Sequence, residues 1–487
     1  MSAAYANRSR RYAEPALAGT LAVSLGLGAG RWGSYLGRDP IFLTDVLIAA
    51  ACALLMLRGI QSARAGAPRR KARTGPFLLL AGWSLFRLAL GGDVGLVALR
   101  DAVPYLYAVL GIVSGVALVR STRAQRERTA RVFVWALTFH TVWVFLALIV
   151  RPSLPYRLPL LDPAHHIHVL TVRPDFDAAI LGVYAAYLIS IAFRKGWSLA
   201  LLPIAAGIAM AWDAIFAAGS RAGLIGAAIP TVAVVATSAR QWIPARTRMA
   251  IVGLVLIVLV AFAFVLPAGQ RLLSSVGVTS PWASETTAEQ VAGTTHAREL
   301  AWSTVVHYSL ADPGRFVAGV GFGPDFMSQS GALSELIGPY EASGRGDPPT
   351  RSPHSWWLGT QARLGIIGLV MIVALLVMLV RRLAMLRTES TSSEEPLLWL
   401  SGLVVLALIV PLSVGVIMES PFGAVPFFWC SGVILNHPLG VAGERWHDRD
   451  HPPDGAGRTG LQQHFHLRAR ARAARSRRRR ERSRSLW

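Results

Sequence analysis

The sequence predicts an all-α, polytopic integral membrane protein with about twelve transmembrane helices and a large external loop between the ninth and tenth spans. Of its 487 residues, 53% are hydrophobic and only 16% are charged. The apolar residues are gathered into runs long enough to cross a hydrocarbon layer of about 30 Å. Arginine and lysine concentrate in alternate connections between these runs. These observations together favour a bundle of membrane-spanning helices.

Twelve apolar runs predict the spans. In chain order they are residues 16–30, 40–57, 76–90, 103–119, 132–150, 178–193, 198–217, 222–237, 251–267, 364–380, 397–416 and 422–434. The basic start of the chain leads into the first run, which favours a first span over a cleavable secretory signal. The two cysteines, Cys52 and Cys430, both fall in apolar runs, so we expect no disulfide framework and no paired-cysteine metal site.

The position of the basic residues orients the chain, although its net charge of +22 would suggest nucleic acid in a soluble protein. An even number of spans places both termini on one side. The arginine-rich connections face that same side, which the positive-inside rule makes cytoplasmic. They are residues 58–73, 120–131, 194–195, 240–248 and 381–387.

Four regions follow from this topology. Residues 1–267 hold nine spans with short loops, 268–353 form the external loop, 354–438 hold the last three spans, and 439–487 form a basic cytoplasmic tail. The tail is rich in arginine with alanine and serine, so we expect it to be disordered and drawn to anionic lipid, with no nucleic-acid partner.

The external loop has the composition of a folded domain. It contains 86 residues, with eight acidic side chains against five arginines. Trp302, Tyr308, Phe316 and Phe322 are spaced so that they could pack a small helical subdomain. We therefore expect the loop to be partly helical.

His354 stands where this polar loop runs into the tenth span. Pro353 suits the first turn of a helix, which predicts a helix that begins near His354 and carries it at the water-facing end of the span. Gly365 and Gly368 are three residues apart, which predicts one helical face that a neighbouring helix approaches closely. The plainer alternative makes His354 an interfacial side chain beside the two tryptophans that follow it.

Arginines occur at two further points on the predicted external side. Arg221 follows Ser220 between the seventh and eighth spans, and Arg298 lies early in the large loop. A lone arginine at a membrane interface is commonly anchored to lipid headgroups. Two arginines on the side that holds His354 favour a different role, because guanidinium groups stay charged and grip a diphosphate in a bidentate way.

A histidine, a short polar residue, nine residues of any kind and then Gly-x-x-Gly form the pattern that begins at His354-Ser355 and ends at Gly365 and Gly368. This pattern resembles the O-antigen ligase and O-antigen polymerase superfamily. The Ser220-Arg221 pair and Arg298, four residues before a tryptophan, also resemble motifs of that family. So does the proline- and glycine-rich stretch of residues 312–323.

The resemblance covers residues 173–368. Arg173, ahead of Pro174-Asp175-Phe176-Asp177, resembles a less regular family stretch in which asparagines surround the proline. The aspartates depart from that pattern and put a role for Arg173 in doubt. The amino-terminal spans agree with the family only in number and character, and the arginine tail has no counterpart.

The resemblance implies a metal-independent, inverting glycosyltransferase of the bacterial cytoplasmic membrane, with no cofactor and its active site on the outer face. Its donor would be a polyprenyl-diphosphate-linked glycan, usually undecaprenyl. Arg221 and Arg298 would stabilise the departing diphosphate in place of a divalent cation. His354 would orient or deprotonate the acceptor hydroxyl, since its unperturbed pKa of about 6.5 is close to working pH. Substrate binding would also involve the following residues: Ser220, Gly321, Gly323 and Arg173.

Several alternatives remain open on the sequence alone. The acceptor is another glycan chain, a lipid or wall glycan, or a protein hydroxyl. A multi-span transporter is a different class; Asp213 and Arg87 lie in or near apolar spans, but no internal repeat supports it. A non-catalytic scaffold would leave the external arginines and His354 without a role. The histidines at 165, 166 and 168 would suit zinc only with further ligands from elsewhere in the fold.

Overall fold

The computed structural model describes residues 36–38, 41–46, 48–50, 52–53, 72–91, 95–121, 123–153, 160–162, 167–168, 170, 172–195, 199, 201–238, 285–341, 351–389 and 395–437. These residues are mostly helical, as the sequence predicts. The described strands form two short antiparallel pairs, Gly37–Arg38 with Ile41–Phe42 and Leu160–Asp162 with Ile167–His168. The first and ninth predicted spans and the basic tail lie outside the described residues.

The helices are numbered here in chain order. They are α1 (Gly75–Leu90), α2 (Leu96–Leu106), α3 (Ala108–Arg120), α4 (Arg123–Ser153), α5 (Pro174–Lys195), α6 (Leu201–Ala218), α7 (Arg221–Ser238), α8 (Glu285–Leu310), α9 (Pro313–Ala318), α10 (Phe326–Ser330), α11 (Ala332–Glu341), α12 (Trp356–Glu389), α13 (Pro396–Val414) and α14 (Pro421–Asn436). A 3₁₀ turn, Ile417–Glu419, joins α13 to α14.

Within the described residues, six helical segments are long and apolar enough to cross a membrane. They are Leu96–Val119, Arg123–Ile149, Pro174–Phe193, Leu201–Ala218, Trp356–Met385 and Pro396–Val414. Helices α1, α7 and α14 are apolar but shorter. The total of twelve spans stays a prediction, because two of the runs lie outside the described residues and the second is described only in part.

Small residues let α5 and α7 pack almost backbone to backbone. A Cβ atom at Gly182 would stand 2.2 Å from Cα of Ala227, and one at Gly223 would stand 2.8 Å from the carbonyl oxygen of Pro174. Such approaches need glycine, because any side chain would push the helices apart. The amino-terminal ends of α5 and α7 are thereby brought together.

The start of α12 differs from the prediction. The helix begins at Trp356, two residues after His354, and His354 itself has a φ of 55°. That left-handed conformation cannot belong to a right-handed helix. His354 therefore sits in the turn that leads into α12 and not in its first turn.

The prediction that Gly365 and Gly368 share one helical face is wrong, but a neighbouring helix does approach closely at Gly365. Gly365 has a φ of 67° and a ψ of −171°, which breaks α12 at that point. A Cβ atom at Gly365 would stand 2.2 Å from the carbonyl oxygen of Val317 on α9, whereas one at Gly368 would meet Leu364 of the same helix at 2.3 Å. Gly365 therefore allows α9 of the large loop to pack against α12, and Gly368 leaves room for the side chain of Leu364 next to the kink.

The kink frees carbonyl groups that the glycine-rich stretch after α9 then satisfies. The N–H of Val320 donates to the carbonyl of Ala362 (2.7 Å), and the N–H of Gly321 donates to that of Arg363 (3.0 Å). Backbone carbonyls at membrane depth need such partners, since water is absent there. The large loop is thus bonded directly to the broken part of α12.

The described part of the large loop is helical, with α8, α10 and α11 packed on one another and on α12. Their shared core contains the following buried side chains: Ala301, Val305, Phe326, Met327, Ala332, Leu336 and Ala362. Phe322 is buried as expected, but it packs on Tyr105 of α2 with ring centroids 5.7 Å apart. Phe316 is 36% exposed, so its predicted role in the subdomain core is wrong.

Candidate functional site

The beginning of α7 presents Ser220 and Arg221 beside the beginning of α5. The hydroxyl oxygen of Ser220 accepts a hydrogen bond from the N–H of Gly223 (3.0 Å), which caps the helix at its amino terminus. Gly223 in turn lies against the carbonyl oxygens of Pro174 and Asp175. The close crossing of the two helices therefore places Ser220 and Arg221 next to the segment that carries Arg173.

Arg173 precedes α5 and is half-buried. Its guanidinium carbon lies 5.1 Å from the ring centroid of Phe422 at the start of α14, and its Nε atom lies 4.0 Å from Oδ1 of Asp175. Its backbone N–H donates to the carboxylate of Asp177 (2.5 Å), and Asp177 is paired with the fully buried His140 at 3.2 Å. The aspartates that depart from the family pattern thus fix the end of α5 and accompany the arginine.

Arg298 lies on α8, one helical turn before Trp302. The indole Nε1–H of Trp302 donates to the carbonyl oxygen of Pro353 (2.5 Å), which holds the segment before His354 against α8. Within the described residues Arg298 has no hydrogen-bond or ion-pair partner. Arg298 acts on His354 electrostatically.

The backbone of His354 is held in its left-handed conformation by hydrogen bonds on its amino-terminal side. Its N–H donates to Oγ of Ser352 (3.2 Å), and that hydroxyl donates to Oε1 of Glu419 (2.7 Å). Among the described residues, no other non-glycine residue has a positive φ. This conformation costs about 1–2 kcal/mol for a residue with a side chain, so it persists only where the surroundings enforce it.

Glu419 reaches this segment from the turn between α13 and α14. Burial raises the pKa of Glu419 above its usual value, although Arg363 and the hydroxyl of Ser352 act in the opposite direction. The Glu419 side chain is 15% exposed, and its polar contacts are with Ser352 and Arg363.

The imidazole of His354 is neutral at neutral pH. Burial, followed by the positive charges of Arg298 and Arg173, lowers its pKa from 6.5 to about 4, and Asp175 opposes this in part. The folded environment thus moves the pKa of His354 away from its unperturbed value near working pH. The side chain can accept a hydrogen bond through its unprotonated nitrogen and carries no charge of its own.

The structure brings together five of the predicted site residues and separates two. His354, Arg298 and Arg173 interact electrostatically, and Arg221 lies at the neighbouring helix end. Gly321 and Gly323 lie at the kink of α12, where their N–H groups donate to the carbonyl of Arg363 (3.0 Å) and, at 3.4 Å, to the carboxylate of Asp101. Substrate binding by these two glycines stays an untested prediction. Ser220, which caps α7 beside Arg221, is the fifth residue of the group.

Sequence reasoning missed a cluster of charged residues beneath His354. It contains Asp101 on α2, Arg351 before His354, Arg363 on α12 and Glu419. Each flanks an apolar run on the side predicted to be external. Charges of opposite sign at the same end of several spans were the available indication, because such charges pair when the spans pack.

A metal site finds no support among the described residues, where no group of three or more His, Cys, Asp or Glu side chains is placed to hold an ion. Of the three histidines around residue 166, only His168 lies in the described backbone.

The fold and site define an integral membrane protein of apolar helices in which arginines surround a neutral histidine at the helix ends. Residues 206–373 match the family model Wzy_C, described as O-Antigen ligase. The match covers 168 of the 487 residues and supports the resemblance to the O-antigen ligase superfamily. The matched range contains Ser220, Arg221, Arg298 and His354 and leaves out Arg173. A search of curated proteins found no match to the chain.

Proposed function

We propose that the protein is a glycosyltransferase of the O-antigen ligase or polysaccharide polymerase type, which moves a glycan from a polyprenyl-diphosphate-linked donor to an acceptor hydroxyl. The observation that carries this proposal is the neutral His354 in the electrostatic field of Arg298 and Arg173, with Arg221 at the adjoining helix end. The family match of residues 206–373 supports the same activity class.

The arginines suit the donor end of this reaction. When the bond between the sugar carbon and the diphosphate oxygen breaks, the diphosphate leaves with the bonding electrons and gains negative charge. Arg298 has no competing partner among the described residues, and Arg221 begins α7, whose helix dipole adds positive potential at that end. Positive charge from Arg221, Arg298 and Arg173 would replace a divalent cation.

His354 suits the acceptor end. The acceptor oxygen attacks the sugar carbon from the side opposite the diphosphate and loses its proton to the imidazole, which inverts the configuration at that carbon. An imidazole with a pKa of about 4 is a weak base in the free protein. Binding of the anionic donor would offset the charges of Arg298 and Arg173 and raise that pKa, so the base would strengthen when the donor is in place.

Ser220, Gly321 and Gly323 belong to the proposed substrate-binding set. Ser220 fixes the start of α7 beside Arg221, and the two glycines hold the large loop on α12. We place the reaction on the outer face of the bacterial cytoplasmic membrane, with membrane lipids as the surroundings and no nucleic-acid partner. The alternation of basic connections in the sequence supports that orientation.

The proposal is tested by transfer assays with lysine variants. Arg221→Lys and Arg298→Lys should each lose at least about tenfold in transfer of a labelled glycan from a polyprenyl diphosphate, because lysine keeps the charge and loses the bidentate contact. Arg315→Lys is the matched control, since Arg315 lies in the same loop but stacks on Tyr308, 4.2 Å from its ring centroid. Equal activity of all variants would contradict the proposed charge clamp.

The same assay separates the roles of His354 and identifies the acceptor. His354→Ala should lower transfer by about 10²–10⁴-fold, whereas His354→Gln keeps a hydrogen bond but cannot take a proton.

The product that carries the label identifies the acceptor. A longer lipid-linked glycan indicates a glycan chain, a labelled glycolipid indicates a lipid acceptor, and labelled protein indicates a protein hydroxyl. Movement of intact donor across sealed vesicles without transfer would indicate a transporter instead. Chelators should leave the reaction unchanged.

Orientation is tested independently of activity. A reporter that works only outside the cytoplasm should be active when fused after Gly331 and inactive after Ala124 or Gly455. The reverse result would place His354 in the cytoplasm and rule out an outer-face reaction.

A further inference from the structure

Asp101 is a buried carboxylate that two arginines share. Its side chain is 7% exposed; Oδ1 accepts from Nη2 of Arg363 at 3.2 Å, and Oδ2 accepts from Nη2 of Arg351 at 2.9 Å. Arg363 is 5% exposed. In a low-dielectric environment these charges are stable only as a group, because each would be costly alone.

The arginines connect Asp101 to the segment that ends at His354. Arg351 stands three residues before His354, and the same Nη2 atom also donates to the carbonyl of Gly323 (2.6 Å). Arg363 donates to the carbonyl of Arg351 (3.0 Å), and its Nη1 atom lies 3.9 Å from Glu419. The backbone and the side chain of Arg351 are therefore both tied to the cluster around Asp101.

We propose that Asp101 is a positioning residue for His354, acting through Arg351 and Arg363. The left-handed backbone of His354 is intrinsically disfavoured and needs fixed neighbours on its amino-terminal side. An amide at position 101 would leave a surplus positive charge in the cluster. Arg351 would then turn toward Asp325, which already lies 3.9 Å from its Nη1 atom and is 30% exposed, and the segment would loosen.

The first test measures the position of His354 and does not depend on enzymatic activity. The rate of carbethoxylation of His354 by diethyl pyrocarbonate, read by peptide mass spectrometry, should rise several-fold in Asp101→Asn. Asp325→Asn is the matched control, because Asp325 contacts the same arginine from its exposed side; it should leave the rate unchanged. His140, fully buried between α4 and α5, reports general loosening and should stay protected in both variants.

The second test is kinetic and rests on the proposed glycan transfer. Asp101→Asn should lower kcat by at least about tenfold while KM for the donor changes little, because misplacing a reacting group by about 1 Å slows chemistry without removing the arginines that hold the donor. An unchanged His354 labelling rate in Asp101→Asn, or a simultaneous rise at His140, would overturn the positioning role. Absence of transfer in the unmodified protein would overturn the proposed function and leave the labelling test valid.

A further variant covers the case in which Asp101→Asn does not accumulate in membranes. Arg351→Lys keeps a cation beside Asp101 but cannot reach both the carboxylate and the carbonyl of Gly323 with fixed geometry. It should raise His354 labelling without affecting His140. Labelling at the unmodified rate would refute the proposal.

Discussion

The pKa of His354 should be about 4, well below the ordinary value of 6.5, and removing one neighbouring cation should raise it partly again. The substitution Arg298→Gln removes one of the positive charges that lower the pKa of His354. The groups that act on the imidazole are Arg298, Arg173 and Asp175, and burial is the largest cause of the low pKa. Loss of Arg298 should therefore raise the pKa from about 4 by a fraction of the total shift and not restore it fully.

The magnitude follows from the two pKa values. A pKa of about 4 in place of 6.5 corresponds to about 3 kcal/mol between the protonation states. At about pH 5 the imidazole would be about 90% neutral in the folded protein, against about 3% for an unshifted histidine. Because the folded state binds this proton less tightly than the unfolded state, the associated stability is present above pH 6.5 and declines as pH falls toward 4.

The assay is exchange of the imidazole C2 hydrogen for deuterium, followed by peptide mass spectrometry across a pH series. Arg315→Gln is the control, because Arg315 stacks on Tyr308 and is not among the groups that shift His354. Added pyrophosphate should raise the His354 midpoint in the unmodified protein and less so in Arg298→Gln. A midpoint near 6.5 in the unmodified protein, or no upward shift in Arg298→Gln, would refute the reasoning.

Three other predictions concern parts of the fold away from His354. Gly365→Ala should strongly lower the thermal midpoint in detergent, because the added Cβ atom would stand 2.2 Å from the carbonyl oxygen of Val317. The control is Gly331→Ala: Gly331 also has a positive φ, 82°, but a Cβ atom there would meet no atom within 4 Å. This control measures the backbone strain alone, which should cost about 1–2 kcal/mol. Burial alone would raise the pKa of Glu395, but hydrogen bonds from His437 and Arg126 lower it to about 2. Glu395→Gln should therefore destabilise the protein by about 1 kcal/mol above pH 4.5. The difference in stability between the variant and the unmodified protein should vanish as pH falls through 2. Deleting residues 468–487 should lower the membrane level at most and leave transfer per molecule unchanged, as quantitative immunoblotting with the glycan assay would show.

The helices could be predicted because hydropathy is a property of contiguous sequence. Of the twelve apolar runs, those described over most of their length coincide with helices, whereas the partly described run 40–57 begins with the strand Ile41–Phe42. The start of α13 at Pro396 agrees within one residue with the predicted start at 397. The break at Gly365 was not predicted. A glycine in a helix is compatible with either a packing face or a kink, and only the neighbouring residue, Val317, decides between them.

The candidate site, like the fold, has features that the sequence predicts and features that it does not. The sequence by itself determined that His354, Arg221 and Arg298 are present in a family pattern, since a spacing motif can be read without knowing distances. It also determined which side of the membrane they are expected to face. It could not determine the protonation state of His354, because that depends on burial and on cations brought from helices far apart in the chain.

Only the tertiary structure decided how the histidine is held. Asp101 and Glu419 lie more than 60 residues from His354 in either direction, and nothing local predicts that they meet through Arg363. Their association follows from the need to pair buried charges once the helices pack, and it leaves the turn at His354 with a backbone that its own residues disfavour. The residues that carry the chemistry were evident in the chain, whereas the residues that set its geometry emerge only when the helices are assembled.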